Sequence, residues 1–446
     1  MSIRVRFAPS PTGRLHVGNI YVALNNWLFA KRQGGQFLLR LDDTDRERST
    51  LAFAAIIEDD LRWLGLAWDE FTRQSDRIDT YEAAAEKLRA SGRLYACYET
   101  AEELALRRKV QLSQGKPPVY DRAALNLTET DRKQLEADGR RPHWRFKLES
   151  RNVEWTDLVR GAQHIDESSQ SDPILIREDG TFLYTLPSVV DDVELNVSHV
   201  IRGNDHVTNT ATQIQIYEAL GAKVPTFAHL PLLVDAGGEG LSKRLGSLSI
   251  MQMREEGLEP MAINAYLAHI GAGGAIEPVN SLDALVAEHD LSKFGKTSPR
   301  FDPQELRHLN ARLLHATSFD AVKSQLAALK LEQVDPALWE AARGNLEKIG
   351  DIALWQQICR SEIAPVVPDG GFASTAADLL PSEPWDAETW RSWTEKVKTT
   401  TGKKGKDLFM PLRLALTGLD HGPELKVLLP LIGRDRALRR LRGERA

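Results

Sequence analysis

The first fifty residues of the chain place a strand, a stiff turn, a helix and a second strand in close succession. Residues 3–8 alternate apolar and polar side chains, and the two prolines and the glycine within 9–13 cannot continue a strand. Apolar residues recur at helical spacing over 17–32, and residues 36–41 form a second apolar strand. Since such a unit crosses over right-handedly, the two strands are predicted to be parallel.

Size and composition favour a multi-domain globular protein. The chain has 446 residues, and it contains no run of 18 uncharged apolar residues that could span a membrane. Its N-terminus lacks the apolar core of a signal peptide. The two cysteines, Cys97 and Cys359, lie far apart and indicate no disulfide framework. These features predict a protein of the cytoplasm with no membrane partner.

The pattern of elements predicts an α/β chain in four parts. Residues 1–80 and 184–250 are expected to form a Rossmann-type parallel-sheet catalytic domain, with strands near 182–184, 198–203 and 227–234 resuming the sheet after an insertion. An α+β insertion is expected at 81–183, a helical region at 251–310 and an all-helical domain at 311–446. In the last two parts, helices are predicted near 260–270, 283–289, 303–314, 319–330 and 336–360, with a Pro- and Gly-rich connector at 361–384.

A nucleotide site is predicted where the first strand turns into the first helix. Residues 16–19 (His, Val, Gly, Asn) lie at the carboxyl edge of the parallel sheet, where ligands bind in such folds. The N–H groups and dipole of a helix N-terminus favour phosphate. His16 can donate a hydrogen bond to phosphate oxygens, and Gly18 lets a base approach the backbone.

A second motif lies some two hundred residues downstream. Residues 241–244 (Leu, Ser, Lys, Arg) follow a glycine-rich segment, and such a loop can close on a triphosphate. Lys243 and Arg244 would neutralise the charge that develops as pyrophosphate leaves. Taken alone, this motif is also typical of an ordinary surface loop.

Together these motifs resemble those of a known enzyme family. The first, preceded by F-A-P-S-P-T-G, resembles the H-I-G-H signature of class I aminoacyl-tRNA synthetases in the glutamyl/glutaminyl subgroup. The second resembles the K-M-S-K-S loop, although Gly240 stands where the family has its first lysine. Residues 401–418 resemble a block of bacterial glutamyl-tRNA synthetases.

The resemblance implies ATP-dependent activation of L-glutamate to glutamyl-adenylate and transfer to the 3′-terminal adenosine of tRNA(Glu). His16, Lys243 and Arg244 would be catalytic, and Mg²⁺ would arrive with ATP, bound mainly by phosphates and water. The residues expected to contact ATP are Ala8, Pro9, His16, Gly18, Asn19, Asp205 and Lys243.

A glutamate pocket is expected beside the nucleotide. A selective site needs planar cations for the side-chain carboxylate and an acid for the amine. By resemblance, Arg6 and Arg202 would hold the γ-carboxylate with the Tyr184 hydroxyl, Ser10 would line the same cleft, and Asp42 would face the α-amino group. Two positions depart from the family: Asp42 replaces a glutamate and Ser188 replaces an asparagine. Asp191 and Asp192 match the family and are either functional or structural.

No structural zinc is expected. Some relatives bind zinc in the insertion through clustered cysteine and histidine, but Cys97 has no second cysteine nearby. His143 and His164 are not expected to complete a site.

The C-terminal region is the candidate tRNA contact. The net charge is −6, yet residues 396–446 carry 13 Lys/Arg against five Asp/Glu. Lys403, Lys404 and Lys406 lie in a glycine-containing loop that suits phosphate contact. The tail at 434–442 is either another tRNA-facing helix or a solubilising end.

Several alternatives remain open at this point. A glutaminyl enzyme would carry a β-barrel anticodon module, whereas the C-terminal region of this chain is predicted to be helical. A truncated relative that glutamylates a modified base would lack the anticodon region. A tRNA-binding paralogue without catalysis is compatible with Gly240 and Asp42. The sequence also leaves open whether tRNA(Gln) is a further substrate, and the family favours a monomer.

Overall fold

The computed structural model describes residues 2–115, 117–241, 248–386 and 388–446. The chain divides into two compact units. Unit 1 comprises Met1–Glu255 and Ile263–Asp302, and unit 2 comprises Glu256–Ala262 and Pro303–Ala446.

The first crossover of unit 1 builds a three-stranded parallel sheet. Its strands are β1 (Arg4–Phe7), β2 (Gln36–Leu41) and β3 (Glu70–Arg73), in the order β1-β2-β3. Helix α1 (Val17–Arg32) joins β1 to β2, and α2 (Leu51–Trp63) joins β2 to β3. Thr50 caps α2 by accepting from the Phe53 N–H (3.1 Å). The predicted strand–helix–strand unit and its parallel pairing are confirmed.

A second sheet continues from the insertion into the later part of unit 1. Its order is β7-β6-β10-β9, where β6 is Asn152–Asp157, β7 is Gly161–Asp166, β9 is His199–Gly203 and β10 is Thr226–Leu230. Strand β10 runs parallel to both β9 and β6, whereas β6 and β7 form a hairpin. The Ser198 N–H donates to the Arg4 carbonyl (2.9 Å), which brings β9 alongside β1.

The insertion contributes a separate antiparallel sheet. It consists of β4 (Leu94–Cys97), β5 (His143–Phe146) and β8 (Ile174–Ile176). Helices α3 (Ile78–Ala90), α4 (Ala101–Ser113) and α5 (Glu129–Ala137) accompany it. The sequence prediction of a parallel strand near residues 182–184 is wrong. Phe182 instead makes one antiparallel bridge to Ile176, and Tyr184 is already the N-cap of the next helix.

The remaining helices of unit 1 follow this insertion and the second sheet. They are α6 (Thr185–Glu194), α7 (Val207–Ala219), α8 (Ile250–Glu255) and α10 (Leu282–Glu288); α9 (Pro260–His269) contributes residues to both units. The apolar faces of α6 and α7 pack with β5, β9 and β10 in one core, which includes Phe146, Val189 and Phe227.

The regular elements described in unit 2 after residue 302 are all helices. They are α11 (Pro303–Ala316), α12 (Phe319–Ala328), α13 (Pro336–Ala342), α14 (Ile352–Arg360), α15 (Gly370–Asp378), α16 (Thr389–Thr401), α17 (Lys406–Thr417), α18 (Leu425–Ile432) and α19 (Arg434–Leu441). Trp339 and Trp393 are fully buried in their common core. The α/β fold class followed by an all-helical region is confirmed.

Two helix predictions in unit 2 need correction. The single helix predicted over 336–360 is two helices, α13 and α14, separated by short 3₁₀ turns that include Gly344 and Gly350. The predicted connector at 361–384 contains α15, because Asp369 caps a helix that buries Phe372. No helix among the described residues is long and apolar enough to cross a membrane.

Candidate active site

His16 is the N-cap of α1, and two hydrogen bonds hold it in place. Its Nδ1 accepts from the Gly18 N–H (3.1 Å), and its own N–H donates to the Asn19 side-chain oxygen (3.1 Å), so the two residues form a capping box. Burial lowers the pKa of His16 and favours the neutral ring. Because Nδ1 accepts, the ring proton lies on Nε2, which remains available as a donor.

Gly18 is required by this cap. A Cβ at Gly18 would come within 2.9 Å of the His16 Cε1 atom. The close approach of a nucleotide base to Gly18 stays a prediction, and the cap is a separate reason for glycine at this position. A side chain here would displace the imidazole that the neighbouring backbone holds.

The chain that follows the second motif lies against the start of α1. The Val17 N–H donates to the Leu248 carbonyl (3.2 Å), the Ile250 N–H donates to the Leu15 carbonyl (3.1 Å), and His16 bridges to Ser249. Residues 248–250 are thus anchored beside the capping imidazole. Lys243 and Arg244, the predicted catalytic cations, lie outside the described residues.

Four more residues predicted to bind ATP or line the cleft lie at strand ends of unit 1. The Pro9 carbonyl accepts from the Asp42 N–H (3.0 Å) and ties the first turn to the end of β2. Ala8 and Ser10 flank Pro9, and Ser10 is exposed. Asp205 lies in a 3₁₀ turn directly after β9, with its carboxylate largely exposed.

A cluster of buried ions lies behind the first turn; it comprises Arg6, Arg40, Asp42, Asp191 and Asp192, all at most 6% exposed. The Arg40 guanidinium donates from Nε to Asp42 Oδ1 (2.7 Å) and from Nη2 to Oδ2 (3.2 Å). Its Nη1 donates to Asp192 (2.8 Å). Arg40 therefore joins the end of β2 to helix α6.

The two aspartates of α6 neutralise this cluster. Asp192 also accepts from Arg6 Nε (3.1 Å) and from the Tyr217 hydroxyl (3.1 Å). Burial opposes its ionisation, but the charges of Arg6 and Arg40 outweigh this effect and lower the pKa of Asp192. Asp191 accepts from three donors, which are Gln74 (3.1 Å), Arg77 (2.7 Å) and the Tyr81 hydroxyl (3.0 Å).

Burial and a neighbouring charge have opposite effects on the pKa of Asp42. Burial raises its pKa to about 6, although the charge of Arg40 acts in the opposite direction. Both carboxylate oxygens already accept from Arg40. Its predicted contact with an α-amino group would therefore use the remaining lone pairs, and the contact stays a prediction.

Arg202 and Tyr184 form a second part of the candidate pocket. Arg202 is buried near the end of β9, and its Nη1 donates to the Tyr184 hydroxyl (3.4 Å). Burial lowers the pKa of Arg202; the nearby Tyr184 opposes that shift, whereas the charge of Arg6 adds to it. The two arginines predicted to bind a carboxylate are thus within electrostatic range of each other, and both are buried.

Sequence reasoning missed Arg40 and left the role of the two aspartates undecided. Arg40 stands within the apolar strand β2, and an arginine in a buried strand requires ionic partners. That signal was available from the sequence. The sequence could not show which carboxylates pair with Arg40, because Asp192 lies 152 positions further along the chain.

The insertion brings together donors that the sequence analysis kept apart. Cys97 and His143 are opposite each other on β4 and β5, and together with Glu99 they offer ligand atoms within 4.8 Å of one another. Burial raises the pKa of Cys97 to about 12 and lowers that of His143 to about 4. The Tyr120 hydroxyl donates to Glu99 (2.7 Å). Structural zinc takes four ligands, and one thiol, one imidazole and one shared carboxylate fit it poorly.

The three predicted tRNA-binding lysines of unit 2 are not equivalent. Lys403 forms an ion pair with Asp369 (2.6 Å), and its ammonium lies 4.6 Å from the centre of the Phe372 ring. Lys404 and Lys406 are exposed, the latter as the first residue of α17. The lysines at 404 and 406 present their charges outward, whereas Lys403 also fastens α15.

The parallel first crossover and the histidine at the start of its helix agree with the motif resemblance to class I synthetases. The family model for tRNA synthetases class I (E and Q), catalytic domain, matches residues 2–307. A model for an anticodon binding domain matches residues 373–444. The chain therefore belongs to the E and Q family of class I tRNA synthetases.

Individual relatives match along their whole length. The chain is 59% identical to a protein named Glutamate–tRNA ligase from Azospirillum brasilense, over 100% of both chains. It is 58% identical to Glutamate–tRNA ligase 2 from Methylorubrum populi, over 99% of both. A crystal structure of a glutamate tRNA ligase from Elizabethkingia meningosepticum, in complex with its amino acid, superposes with a TM-score of 0.87 at 28% identity, covering 99% of this chain and 98% of the other.

Proposed function

We propose that this protein is a glutamate–tRNA ligase. The observation that carries the proposal is the match over essentially the whole chain to relatives of that name at 59% and 58% identity. The cluster of buried arginines near the carboxyl end of the sheet supports it, because a substrate with a side-chain carboxylate needs such cations.

The reaction has two steps. The α-carboxylate of glutamate attacks the α-phosphate of ATP, which yields glutamyl-adenylate and releases pyrophosphate. A ribose hydroxyl of the terminal adenosine of tRNA then takes the glutamyl group and releases AMP. Catalysis comes from orientation and from stabilisation of developing charge, and it needs no covalent enzyme intermediate.

We assign ATP to the first turn of unit 1. The Nε2 proton of His16 would donate to a phosphate oxygen at the start of α1. Ala8, Pro9, Gly18, Asn19 and Asp205 would contact the rest of the nucleotide. Lys243 and Arg244 would act on the departing pyrophosphate, and Mg²⁺ would come with ATP, held chiefly by its phosphates and by water.

We assign glutamate to the adjoining pocket. Arg6 and Arg202 would hold the γ-carboxylate with the Tyr184 hydroxyl, and Ser10 would line the opening. Asp42 would accept from the α-amino group while Arg40 holds it in place. The pairing of Asp42 with Arg40 supports this role, because a bidentate contact fixes the plane of the carboxylate.

The other parts of the chain would recognise tRNA. Residues 1–80 and 184–250 would be the catalytic domain, 81–183 would hold the acceptor end, 251–310 would contact the stem, and 311–446 would bind the anticodon. The helical character of the described residues beyond β10 favours a glutamyl over a glutaminyl enzyme, because the latter carries a β-barrel there. We further propose that the protein acts in the cytoplasm as a monomer.

Charging of separately purified tRNA(Glu) and tRNA(Gln) with labelled glutamate and ATP tests this function. Product on tRNA(Glu) is the expected result. Additional product on tRNA(Gln) would extend the substrate range to the indirect route, in which that glutamate is later amidated. Product on neither would contradict the proposal and favour a tRNA-binding paralogue without catalysis.

We also propose that the purified protein holds no structural zinc. The Cys97 region has one thiol among its donors, and the Tyr120 hydroxyl already engages Glu99. Elemental analysis of the protein after dialysis should therefore find well under one zinc per chain. A stoichiometric amount that Cys97→Ser removes would contradict this expectation.

A further inference from the structure

Arg202 is held by a specific set of acceptors. Its Nε donates to Nε2 of His229 (3.2 Å), and its Nη2 donates to the Thr210 hydroxyl (2.7 Å) and to the His206 carbonyl (3.3 Å). Nη1 donates only weakly, to the Tyr184 hydroxyl at 3.4 Å. One edge of the guanidinium is therefore fixed inside the protein, and Nη1 is directed toward the more exposed Tyr184.

The contact between Arg202 and His229 determines the tautomer of the imidazole. An arginine Nε–H is always a donor, so Nε2 of His229 must carry the lone pair. The proton of the neutral ring then lies on Nδ1, which is 2.5 Å from the Asp157 carboxylate. Asp157 therefore selects the tautomer that Arg202 requires.

Asp157 is itself immobilised by the backbone. Its Oδ1 accepts from the N–H groups of His229 (3.1 Å), Val159 (3.0 Å) and Arg160 (2.9 Å). Burial opposes its ionisation, but the hydrogen bonds from His229 and from the Arg160 amide outweigh this effect and lower the pKa of Asp157. The carboxylate is ionised at neutral pH and cannot rotate away from the ring.

The strand register explains why these side chains meet. In the parallel pair of β9 and β10, Arg202 lies beside His229, and Asp157 at the end of β6 lies beside Phe227. His229 and Asp157 are both at most 2% exposed. Burial lowers the pKa of His229, and the neighbouring charges of Arg202 and Arg160 also disfavour a second proton, against the effect of Asp157.

We infer that His229 and Asp157 are positioning residues that orient Arg202 for the carboxylate of the amino-acid substrate. Asp157 keeps the proton of the His229 ring on Nδ1, so Nε2 is free to accept from Arg202 Nε. This hydrogen bond fixes one edge of the guanidinium and leaves Nη1 for the ligand. The inference rests on the proposed glutamate site. If the His229 ring also carried a proton on Nε2, that N–H would face the Nε–H of Arg202. The hydrogen bond between them would be lost, and the guanidinium would turn away.

The test compares two substitutions of His229 in the full-length protein. Gln supplies an oxygen near the position of Nε2, whereas Leu has a similar size and no acceptor. We expect His229→Leu to raise the KM for glutamate by about tenfold to a hundredfold, the loss typical of a hydrogen bond to a charged group. The kcat and the KM for ATP should change little, because the contact lies away from the reacting carboxylate.

His229→Gln should restore most of the affinity for glutamate. His199→Leu is the matched control, since His199 lies at the far end of the neighbouring strand β9 and should leave the KM for glutamate unchanged. Equal KM values for the Leu and Gln variants, or a parallel rise in the KM for ATP, would overturn the inference. A wild-type protein that charges no tRNA would instead refute the proposed function.

A measurement on the unmodified protein covers the case in which His229→Leu does not fold. In a ¹⁵N-histidine-labelled sample near neutral pH, the ring of His229, assigned by its loss in His229→Gln, should show a protonated Nδ1 and a bare Nε2. A ring protonated on Nε2, or on both nitrogens, would contradict the inference directly.

Discussion

Arg40 is the residue that links the buried charges behind the first turn of the candidate site. It pairs with Asp42 through two hydrogen bonds and with Asp192 through a third, and it is 1% exposed. Buried ion pairs contribute little net stability, but removal of one partner leaves an uncompensated charge, at a cost of about 3–5 kcal/mol. The cluster is therefore better explained by the orientation of Asp42 than by the stability of the fold.

The raised pKa of Asp42 predicts a pH dependence of glutamate binding. Above about pH 6 the carboxylate is ionised and can accept from an ammonium group; as the pH falls through about 6 it takes up a proton and loses this ability. The KM for glutamate should therefore rise as the pH is lowered from 7.5 to 5.5. Steady-state charging at saturating ATP and tRNA(Glu) measures this change.

Asp42→Asn provides the control. It keeps the size of the side chain, should raise the KM for glutamate at pH 7.5 by about tenfold to a hundredfold, and should remove most of the pH dependence. A variant whose KM still rises as steeply below pH 6 would show that another group titrates.

At the scale of elements, three lysines at the connection between α16 and α17 differ in their contacts. Lys403 ties this connection to Asp369 at the start of α15 and lies over Phe372. Gly402, at φ +71°, ends α16 and lets the chain turn toward α17. Of the three, Lys404 and Lys406 are exposed, and they are the two that the proposed function would place against a phosphate backbone.

We predict that Lys404→Ala combined with Lys406→Ala weakens tRNA binding and lowers its salt dependence. Loss of up to two phosphate contacts should reduce the slope of log K against log salt by about one to two. Filter binding or fluorescence anisotropy between 50 and 200 mM salt, roughly the range where such slopes are resolved, gives the measurement.

The control for this prediction removes a lysine that already has a partner. Lys426 is exposed but pairs with Glu424, so Lys426→Ala should leave the slope nearly unchanged. Lys403→Ala should mainly loosen α15. If the slope of log K against log salt is unaltered in the double variant, the loop takes no part in tRNA binding.

At the scale of the whole molecule, the basic count of the C-terminal region overstates its free charge. Arg440 in α19 is fully buried and donates to three backbone carbonyls, those of Ile358, Ser361 and Leu416, and to a main-chain oxygen of Ala446. The three carbonyls lie at the ends of α14 and α17. Burial lowers the pKa of Arg440 to about 10, so it remains a cation at neutral pH. Part of the basic tail is therefore structural.

Arg440→Met should destabilise unit 2 strongly. The change keeps much of the apolar stem but removes one donor from each of these four main-chain oxygens, and we expect a loss of about 3 kcal/mol or more in the free energy of unfolding. Urea denaturation followed by tryptophan fluorescence measures this loss, because five of the ten tryptophans lie in unit 2 and two of them, Trp339 and Trp393, are buried in its core.

The neighbouring Arg439 is the matched comparison. Its side chain is 42% exposed and pairs with Glu444, and a surface pair of this kind is worth under about 1 kcal/mol. Arg439→Met should accordingly unfold almost as the wild type does. Similar losses in both variants would show that Arg440 has no special role in closing the unit.

Much of the fold could be predicted from local pattern. The first crossover, the cap at Thr50 and most helices of unit 2 follow from periodicity and turn residues, which act over a few residues. The errors lie where tertiary contact overrides local signals. Residues 182–184 look like a strand but lead into α6, and a Pro-rich segment contains α15 because Phe372 is buried.

The sequence by itself determined the family and the parallel crossover and proposed most of the candidate site residues, because motifs and hydrophobic spacing are properties of neighbouring positions. Only the tertiary structure decided which charges pair. Arg40 meets Asp192, Arg202 meets His229, and His229 meets Asp157, across separations of 152, 27 and 72 positions. Such pairs depend on strand register and helix packing, which no local pattern specifies. Because the interior has a low dielectric constant, a buried charge without a partner is costly, and each of these charges is therefore paired.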